Sequence, residues 1–141
     1  MSRQRGHILI VDDEPDMCWV LEVALRSADY AVETVTRATK ALELLAVRSY
    51  DVALVDAKLP DIDGAELAAT IRRESPSTVV ILISGYYHVE DSVIVEGLRS
   101  HLFAGFIVKP FDIEDVRKMV RQAMKGTRTD DESSGRDPGS R

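Results

Sequence analysis

Cysteine is almost absent from this sequence, since Cys18 is the only one among its 141 residues. A single cysteine excludes an internal disulfide framework and the cysteine spacing of structural zinc sites. Because Cys18 lies within a stretch of helical apolar period, we expect a buried thiol that is not reactive.

Long hydrophobic runs and an excess of positive charge are also lacking. The first apolar run, Ile8–Val11, ends after four residues at Asp12, far short of a signal peptide or of the roughly 20 residues that span a membrane. Lysine and arginine number 18 against 24 aspartates and glutamates, so the formal charge is −6. Such a chain repels nucleic-acid phosphates. We therefore expect a cytoplasmic protein that binds neither membrane nor nucleic acid.

What the sequence contains is an alternation of short apolar runs with stretches of helical period. This alternation predicts an α/β fold with a parallel sheet covered on both faces. We predict five strands and five helices in one domain over residues 6–125. Around Val32–Val35 the strand mixes polar and apolar residues, as an edge strand does, whereas the other four are nearly continuous in apolar residues. A flavodoxin-like (βα)5 three-layer sandwich of strand order 2-1-3-4-5 satisfies this condition.

Two further expectations concern the helices and the end of the chain. Met17, Val20 and Leu21 begin the apolar stripe of the first helix, and Trp19, one position away, is expected to be partly buried.

From Gly126 the helical period stops and no large apolar residue follows. We therefore predict that residues 126–141 form a disordered tail or the start of a linker.

Four of the five strand candidates end in a side chain that can do chemistry: Asp12-Asp13, Asp56, Ser84 and Lys109. The carboxyl ends of parallel strands meet at one edge of a sheet, which predicts that these groups share one crevice. Three carboxylates in one place repel each other unless a cation relieves them. A set of oxygen ligands alone favours Mg²⁺.

Asp56 is the candidate nucleophile. It ends an apolar strand before a turn-rich loop, where an aspartate can attack a phosphoryl group and carry it as an acyl phosphate. Lys109 could neutralise phosphoryl charge, and Ser84 could donate a hydrogen bond to a phosphoryl oxygen. Each has an ordinary alternative. Asp12-Asp13 can be the acidic first turn of a helix, Ser84 can cap a helix, and Lys109 can simply end a strand.

Together these residues resemble the receiver domain of two-component response regulators, over about residues 6–125. That family has an acidic pair after strand one, a phosphoacceptor aspartate after strand three and a serine or threonine after strand four. A lysine-proline pair follows strand five, with an aromatic switch residue three positions before the lysine. The matching residues are Asp12-Asp13, Asp56, Ser84, Lys109-Pro110 and Phe106.

The resemblance implies a magnesium site and a phosphoryl acceptor. Asp13 and Asp56 would ligate Mg²⁺, with Asp12 acting through water and Lys58 through its backbone carbonyl. Asp56 would accept a phosphoryl group from a sensor histidine kinase or a histidine phosphotransfer protein. The protein would be a regulator and not an enzyme, apart from autophosphorylation by small donors and autodephosphorylation.

The resemblance also implies a conformational response. Ser84 and Lys109 would move toward the phosphoryl group, and Phe106 would report it through its rotamer, without the hydroxyl of the commoner tyrosine. The face of helix four, strand five and helix five would then bind a downstream protein or a second phosphorylated copy. The Lys109–Pro110 bond is expected to be cis.

Lys58 and Tyr86 occupy positions that vary among receivers and that can screen the acyl phosphate from water, so we expect them to set its lifetime. The chain also departs from the family near the end of helix four, where members commonly have glycine-alanine and this chain has Ser100-His101-Leu102-Phe103.

Three other functions are open to a sheet of this kind. A Mg²⁺-dependent aspartyl phosphohydrolase typically has a second acid two residues after its nucleophile, where this chain has Lys58. A flavodoxin-type nucleotide or flavin binder would need a phosphate loop where Asp12-Asp13-Glu14 would repel phosphate. A receiver-like protein that works without phosphorylation would be expected to have an incomplete site.

Overall fold

The computed structural model describes residues 5–135, with side chains described through residue 125. Strands and helices alternate along the whole of this range. In chain order they are β1 His7–Val11, α1 Pro15–Arg26, β2 Ala31–Val35, α2 Ala38–Val47, β3 Val52–Asp56, α3 Gly64–Glu74, β4 Val79–Ser84, α4 Ser92–Arg99, β5 Gly105–Val108 and α5 Ile113–Gly135.

The five strands form one parallel sheet in the order β2-β1-β3-β4-β5. This confirms the flavodoxin-like order and the position of β2 at an edge. The register places Asp56 opposite Ile83 and Ser84 opposite Val108, so β3, β4 and β5 end at nearly the same level. The polar residues at the strand ends are thereby brought together at one edge of the sheet.

Each face of the sheet is covered by a separate apolar layer. One layer packs α1 and α5 on the sheet, and the other packs α2, α3 and α4 on the opposite face. Alternate strand residues supply the two layers because successive side chains of a strand point to opposite faces. In β1, for example, Ile8 and Ile10 belong to the α1/α5 layer, and Leu9 and Val11 belong to the α2–α4 layer.

Helix α1 corrects one expectation about packing. Trp19 is 65% exposed and Val20 is 38% exposed, whereas Cys18, Leu21 and Leu25 are buried. Successive helical residues are rotated by about 100°. With Cys18 facing the sheet, Trp19 therefore turns toward solvent, and its predicted partial burial is wrong.

Helix α5 continues past the expected boundary near Gly126, because its backbone is helical to Gly135. No proline interrupts this stretch before Pro138, so the helical hydrogen bonds can continue without an apolar face. The remaining part of the predicted tail or linker, residues 136–141, lies outside the described residues. No helix within the described range is both long and apolar enough to cross a membrane.

The connection from α4 to β5 explains how the chain tolerates Phe103. The Phe103 ring is buried against Gly97, and a Cβ on that glycine would lie 2.2 Å from the ring. His101 makes the turn with a φ of 63°, a left-handed conformation that few side chains adopt. Because Gly97 in α4 has no side chain, there is room for the large side chain of Phe103.

Candidate functional site

Three carboxylates meet at the carboxyl edge of the sheet. Asp12 follows β1 and is 1% exposed, Asp56 ends β3 and is 7% exposed, and Asp13 is exposed to solvent. One carboxylate oxygen from each lies within 4.8 Å of the others. A set of hard oxygen donors this close together fits a cation such as Mg²⁺.

Lys109 is the positive charge of the crevice. Its Nζ donates to Oδ2 of Asp12 at 3.1 Å, to Oε1 of Glu14 at 3.3 Å and to Oδ2 of Asp56 at 3.3 Å. The lysine side chain is 16% exposed, so these ion pairs are only partly screened by water. The peptide bond from Lys109 to Pro110 is cis, as the resemblance implied.

Burial and neighbouring charges shift two pKa values in this cluster. Desolvation, assisted by the negative charge of Asp56, raises the pKa of Asp12 to about 6, although the Glu14 N–H and Lys109 act in the opposite direction. Burial alone would lower the pKa of Lys109, but attraction to Asp12 and Asp56 outweighs it and the pKa is raised. The lysine is therefore held as a cation, and Asp12 is a carboxylate that a proton can neutralise under mildly acidic conditions.

Ser84 is buried at the end of β4, where it organises the following turn. Its Oγ accepts hydrogen bonds from the N–H groups of Tyr86 at 2.8 Å and Tyr87 at 2.9 Å. Helix α4 begins only at Ser92, so the alternative that Ser84 caps this helix is wrong. The hydroxyl hydrogen remains available for a group in the crevice, because both of these bonds use Oγ as the acceptor.

Lys58 and Tyr86 line one side of the crevice and form a lid there, and Tyr87 lies beside Tyr86, packed against the α2–α4 layer. The Lys58 Nζ lies 4.3 Å from the centre of the Tyr86 ring and 5.8 Å from that of Tyr87. The two rings meet edge to face at 5.0 Å. The Lys58 N–H also donates to Oδ1 of Asp56 at 3.2 Å. The lid is therefore attached to the candidate phosphoacceptor itself.

Gly64 is a site residue whose role the sequence did not reveal. A Cβ at this position would lie 2.3 Å from the carbonyl oxygen of Asp56 and 2.6 Å from the Cα of Ala57. The Gly64 N–H donates to the Ala57 carbonyl at 2.9 Å. Helix α3 can therefore begin directly against the end of β3 only because residue 64 has no side chain.

Asp61 is a second residue whose role was missed. From the loop between β3 and α3 it accepts the N–H groups of Ala38 at 3.0 Å and Thr39 at 2.9 Å, which open helix α2. These bonds lower the pKa of Asp61 to about 2. The partners lie more than 20 positions away along the chain, so no local sequence signal for helix capping applies.

The crevice of about 280 Å³ brings the candidate site residues together. Phe106 lies apart from it, partly buried against the α2–α4 layer. In this arrangement the Asp56 carboxylate, other carboxylate oxygens that fit a metal ion, and the Lys109 cation share one opening. The crevice is lined by Asp13, Glu14, Asp56, Lys58, Ser84, Gly85, Tyr86 and Lys109.

Comparison with known proteins agrees with this geometry. The family model for the response regulator receiver domain matches residues 8–121. The uncharacterized transcriptional regulatory protein YkoG of Bacillus subtilis is 32% identical over 130 residues, covering 91% of this chain and 56% of YkoG. The response regulator protein PilR of Pseudomonas aeruginosa is 34% identical over 125 residues, covering 89% of this chain and 27% of PilR. The chain thus spans about half or less of these relatives.

Solved structures share the fold over nearly the whole chain. A CheY-like receiver domain protein from Methanospirillum hungatei matches with a TM-score of 0.81 at 26% identity, covering 92% of this chain and 99% of that one. The response regulator TrrA from Thermotoga maritima, solved in complex with Mg²⁺ and BeF, matches with a TM-score of 0.72 at 28% identity. That match covers 83% of this chain and 97% of TrrA.

Proposed function

The chain belongs to the response regulator receiver domain family, and from this premise we propose that it accepts a phosphoryl group on Asp56 in a Mg²⁺-dependent phosphorelay. The observation that carries the proposal is the contact of Asp56 with Lys109 beside Asp12 and Asp13. The phosphoryl donor is a sensor histidine kinase or a histidine phosphotransfer protein.

The transfer step follows from the groups in the crevice. One Asp56 oxygen attacks the phosphorus of a phosphohistidine, the P–N bond breaks, and its electron pair stays on the imidazole nitrogen that leaves. The product is an acyl phosphate on Asp56. Mg²⁺, held by Asp12, Asp13, Asp56 and the Lys58 carbonyl, would neutralise the negative charge of carboxylates and phosphoryl oxygens. Lys109 and the Ser84 hydroxyl supply a cation and a donor for phosphoryl oxygens.

The signal then passes to the face formed by α4, β5 and α5, with Phe106 as the switch residue. We propose that this face binds a downstream protein or a second phosphorylated copy of the chain. Because the relatives are longer than this chain, we further propose that it acts as the receiver part of a longer regulator. We assign no turnover of an external substrate, since Lys58 occupies the position where a phosphohydrolase would need an acid.

Incubation with acetyl phosphate and Mg²⁺ followed by intact-mass measurement tests the central proposal. The wild-type chain is expected to gain one phosphoryl group, and Asp56→Asn is expected to gain none. Asp29→Asn, at the opposite end of the sheet, serves as the matched control and should be labelled like the wild type. Labelling of Asp56→Asn to the wild-type level would overturn the assignment, and continuous release of phosphate from a small ester would favour the phosphohydrolase instead.

The lid formed by Lys58 and Tyr86 is expected to set the lifetime of the acyl phosphate by limiting the approach of water. Lys58→Ala and Tyr86→Ala should each increase the rate of autodephosphorylation severalfold, measured as loss of the phosphorylated mass after the donor is removed. Val89→Ala, an exposed position in the same loop, is the control and should leave the rate unchanged. An unchanged rate in both lid variants would contradict this role.

A further inference from the structure

A second groove lies at the opposite end of the sheet from the carboxylates. It has a volume of about 450 Å³ and is formed where Arg5 and Tyr30, which precede β1 and β2, meet helix α5. Tyr30 and Met124 are buried and provide its floor. The groove is lined by Arg5, Tyr30, Lys118, Arg121, Gln122, Met124 and Lys125.

Charge distinguishes this groove from the rest of the molecule. Of the seven lining residues that the structure describes, four are cations and none is acidic, although the whole chain has a formal charge of −6. Within residues 5–125, none of these four cations forms an ion pair with a carboxylate. Among the side chains described, no carboxylate therefore relieves their mutual repulsion, which an anionic ligand would relieve.

Arg5 is held in place before any ligand binds. Its backbone N–H donates to the Asp29 carbonyl at 2.8 Å, and its Nη1 donates to the Ala28 carbonyl at 3.2 Å. The guanidinium lies over the Tyr30 ring, 5.5 Å from its centre. An arginine has five N–H donors in a fixed plane, so donors remain for a ligand and little side-chain freedom is lost on binding.

Helix α5 supplies the other cations in a row. Lys118, Arg121 and Lys125 are spaced i, i+3, i+7, which places them on one side of the helix over about 10 Å. The polar side chains of the groove are mostly donors without acceptor atoms. A peptide presents N–H donors as well as acceptors, whereas a phosphate chain presents only acceptors. The lining therefore favours a compact ligand with several phosphates.

We propose that this groove binds a small oligophosphate, either an inorganic one or the phosphate chain of a nucleotide. Its volume lies within the range of about 300–1,000 Å³ that small-molecule sites occupy. This site lies far along the strands from Asp56 and is independent of phosphorylation there. The Asp56→Asn protein is accordingly expected to bind the same ligand.

Calorimetric titration of the full chain with sodium tripolyphosphate tests the proposal, in EDTA so that no metal bridges the ligand to the carboxylates. Amide chemical shifts should change at Arg5, Tyr30 and residues 118–125. The double variant Arg121→Glu, Lys125→Glu should bind about tenfold more weakly or worse, because two charge-assisted contacts are replaced by repulsion. Both substitutions are on exposed positions, and a circular dichroism spectrum like that of the wild type would show that the fold is kept.

The double variant Arg37→Glu, Arg73→Glu reverses two exposed cations outside the groove. It changes the net charge by the same amount, so it is the control for net charge and should keep wild-type affinity. A parallel titration with ATP separates the two sources. Equal affinity for ATP and tripolyphosphate indicates an inorganic ligand, and tighter binding of ATP indicates a nucleotide. Absence of tripolyphosphate binding, an equal loss of affinity in the Arg37→Glu, Arg73→Glu control, or tighter binding of a tetraglutamate peptide would each overturn the proposal.

Discussion

Asp12 combines nearly complete burial with a negative charge. Its carboxylate has two partners, the Glu14 N–H at 2.9 Å and Lys109 at 3.1 Å, but it also lies near the like charge of Asp56. Burial, together with the charge of Asp56, raises the pKa of Asp12 from an ordinary value of 3.8 to about 6. A residue that we propose as a metal ligand thus opposes folding when no metal is bound.

The sign of this effect gives a prediction. Because the folded chain binds the Asp12 proton more tightly than the unfolded chain, the free energy of unfolding falls as pH rises from about 4 to about 6. Asp12→Asn lacks this penalty and is expected to be more stable than the wild type above pH 6, by about 1–3 kcal/mol. The difference should vanish below about pH 4.

Urea unfolding in EDTA across pH 4–8 measures this difference in unfolding free energy between Asp12→Asn and the wild type. Asp13→Asn, at an exposed position, is the control. A less stable Asp12→Asn protein at pH 8 would mean that the ion pair with Lys109 outweighs the cost of burial.

At the scale of elements, the loop from β3 to α3 is fixed at several points. Lys58 binds the Asp56 carboxylate, Asp61 binds the start of α2, and Gly64 binds the Ala57 carbonyl. Asp63 also accepts the Ala65 N–H at 3.3 Å as the N-cap of α3. Strand β3, which ends in Asp56, is thereby joined to helices α2 and α3 within a few residues.

Gly64→Ala tests how tightly this junction is packed. Its Cβ would overlap the backbone of Asp56 and Ala57, so we expect a loss of about 1–3 kcal/mol in unfolding free energy. Labelling of Asp56 by acetyl phosphate should also slow, because the strand end has to shift.

Gly85→Ala is the matched control. A Cβ there would lie 3.5 Å from the Cβ of Lys109, which is ordinary contact, and stability should stay within about 0.5 kcal/mol of the wild type. Unimpaired stability and labelling in Gly64→Ala would show that the junction is loosely packed.

The sequence was sufficient to predict the sheet and the polar strand ends because both depend on local patterns. Val32–Val35 alternates and lies at an edge, and four apolar runs end where the crevice begins. Asp61, Gly64 and the contact of Gly97 with Phe103 could not be predicted in the same way. Their roles depend on neighbours that only the tertiary structure supplies. Trp19 makes a different point, because the apolar stripe of α1 alone did not predict which side of that helix is buried.

At the scale of the whole molecule, charge is divided between two ends of the sheet. Asp12, Asp13, Glu14 and Asp56 lie at the carboxyl end, and the cations of the oligophosphate groove lie at the other. The Debye length is about 8 Å at physiological ionic strength, so charges at one end of the sheet are largely screened from charges at the other. The cations of the groove therefore hardly oppose the attraction of a metal cation to the carboxyl end.

Mg²⁺ is expected to stabilise the entire domain, since the folded chain alone assembles the three carboxylates. At about a hundred times its Kd it should add about 2.7 kcal/mol to the free energy of unfolding, seen as a rise in Tm. Asp13→Asn should lose most of this rise, and NaCl of equal ionic strength controls for screening. An equal rise with NaCl would mean that general screening and not a site is responsible.

The bonds from Asp61 to α2 have a mechanical consequence. They tie the β3–α3 loop to the start of helix α2 and so hold this side of the crevice in place. The loop from β4 to α4 has fewer such attachments, since the described hydrogen bonds of residues 85–91 join only residues 84–95, and α4 is anchored in the core through Ile94 and Gly97. We therefore expect that a phosphoryl group on Asp56 would displace the β4–α4 loop more readily than the β3–α3 loop.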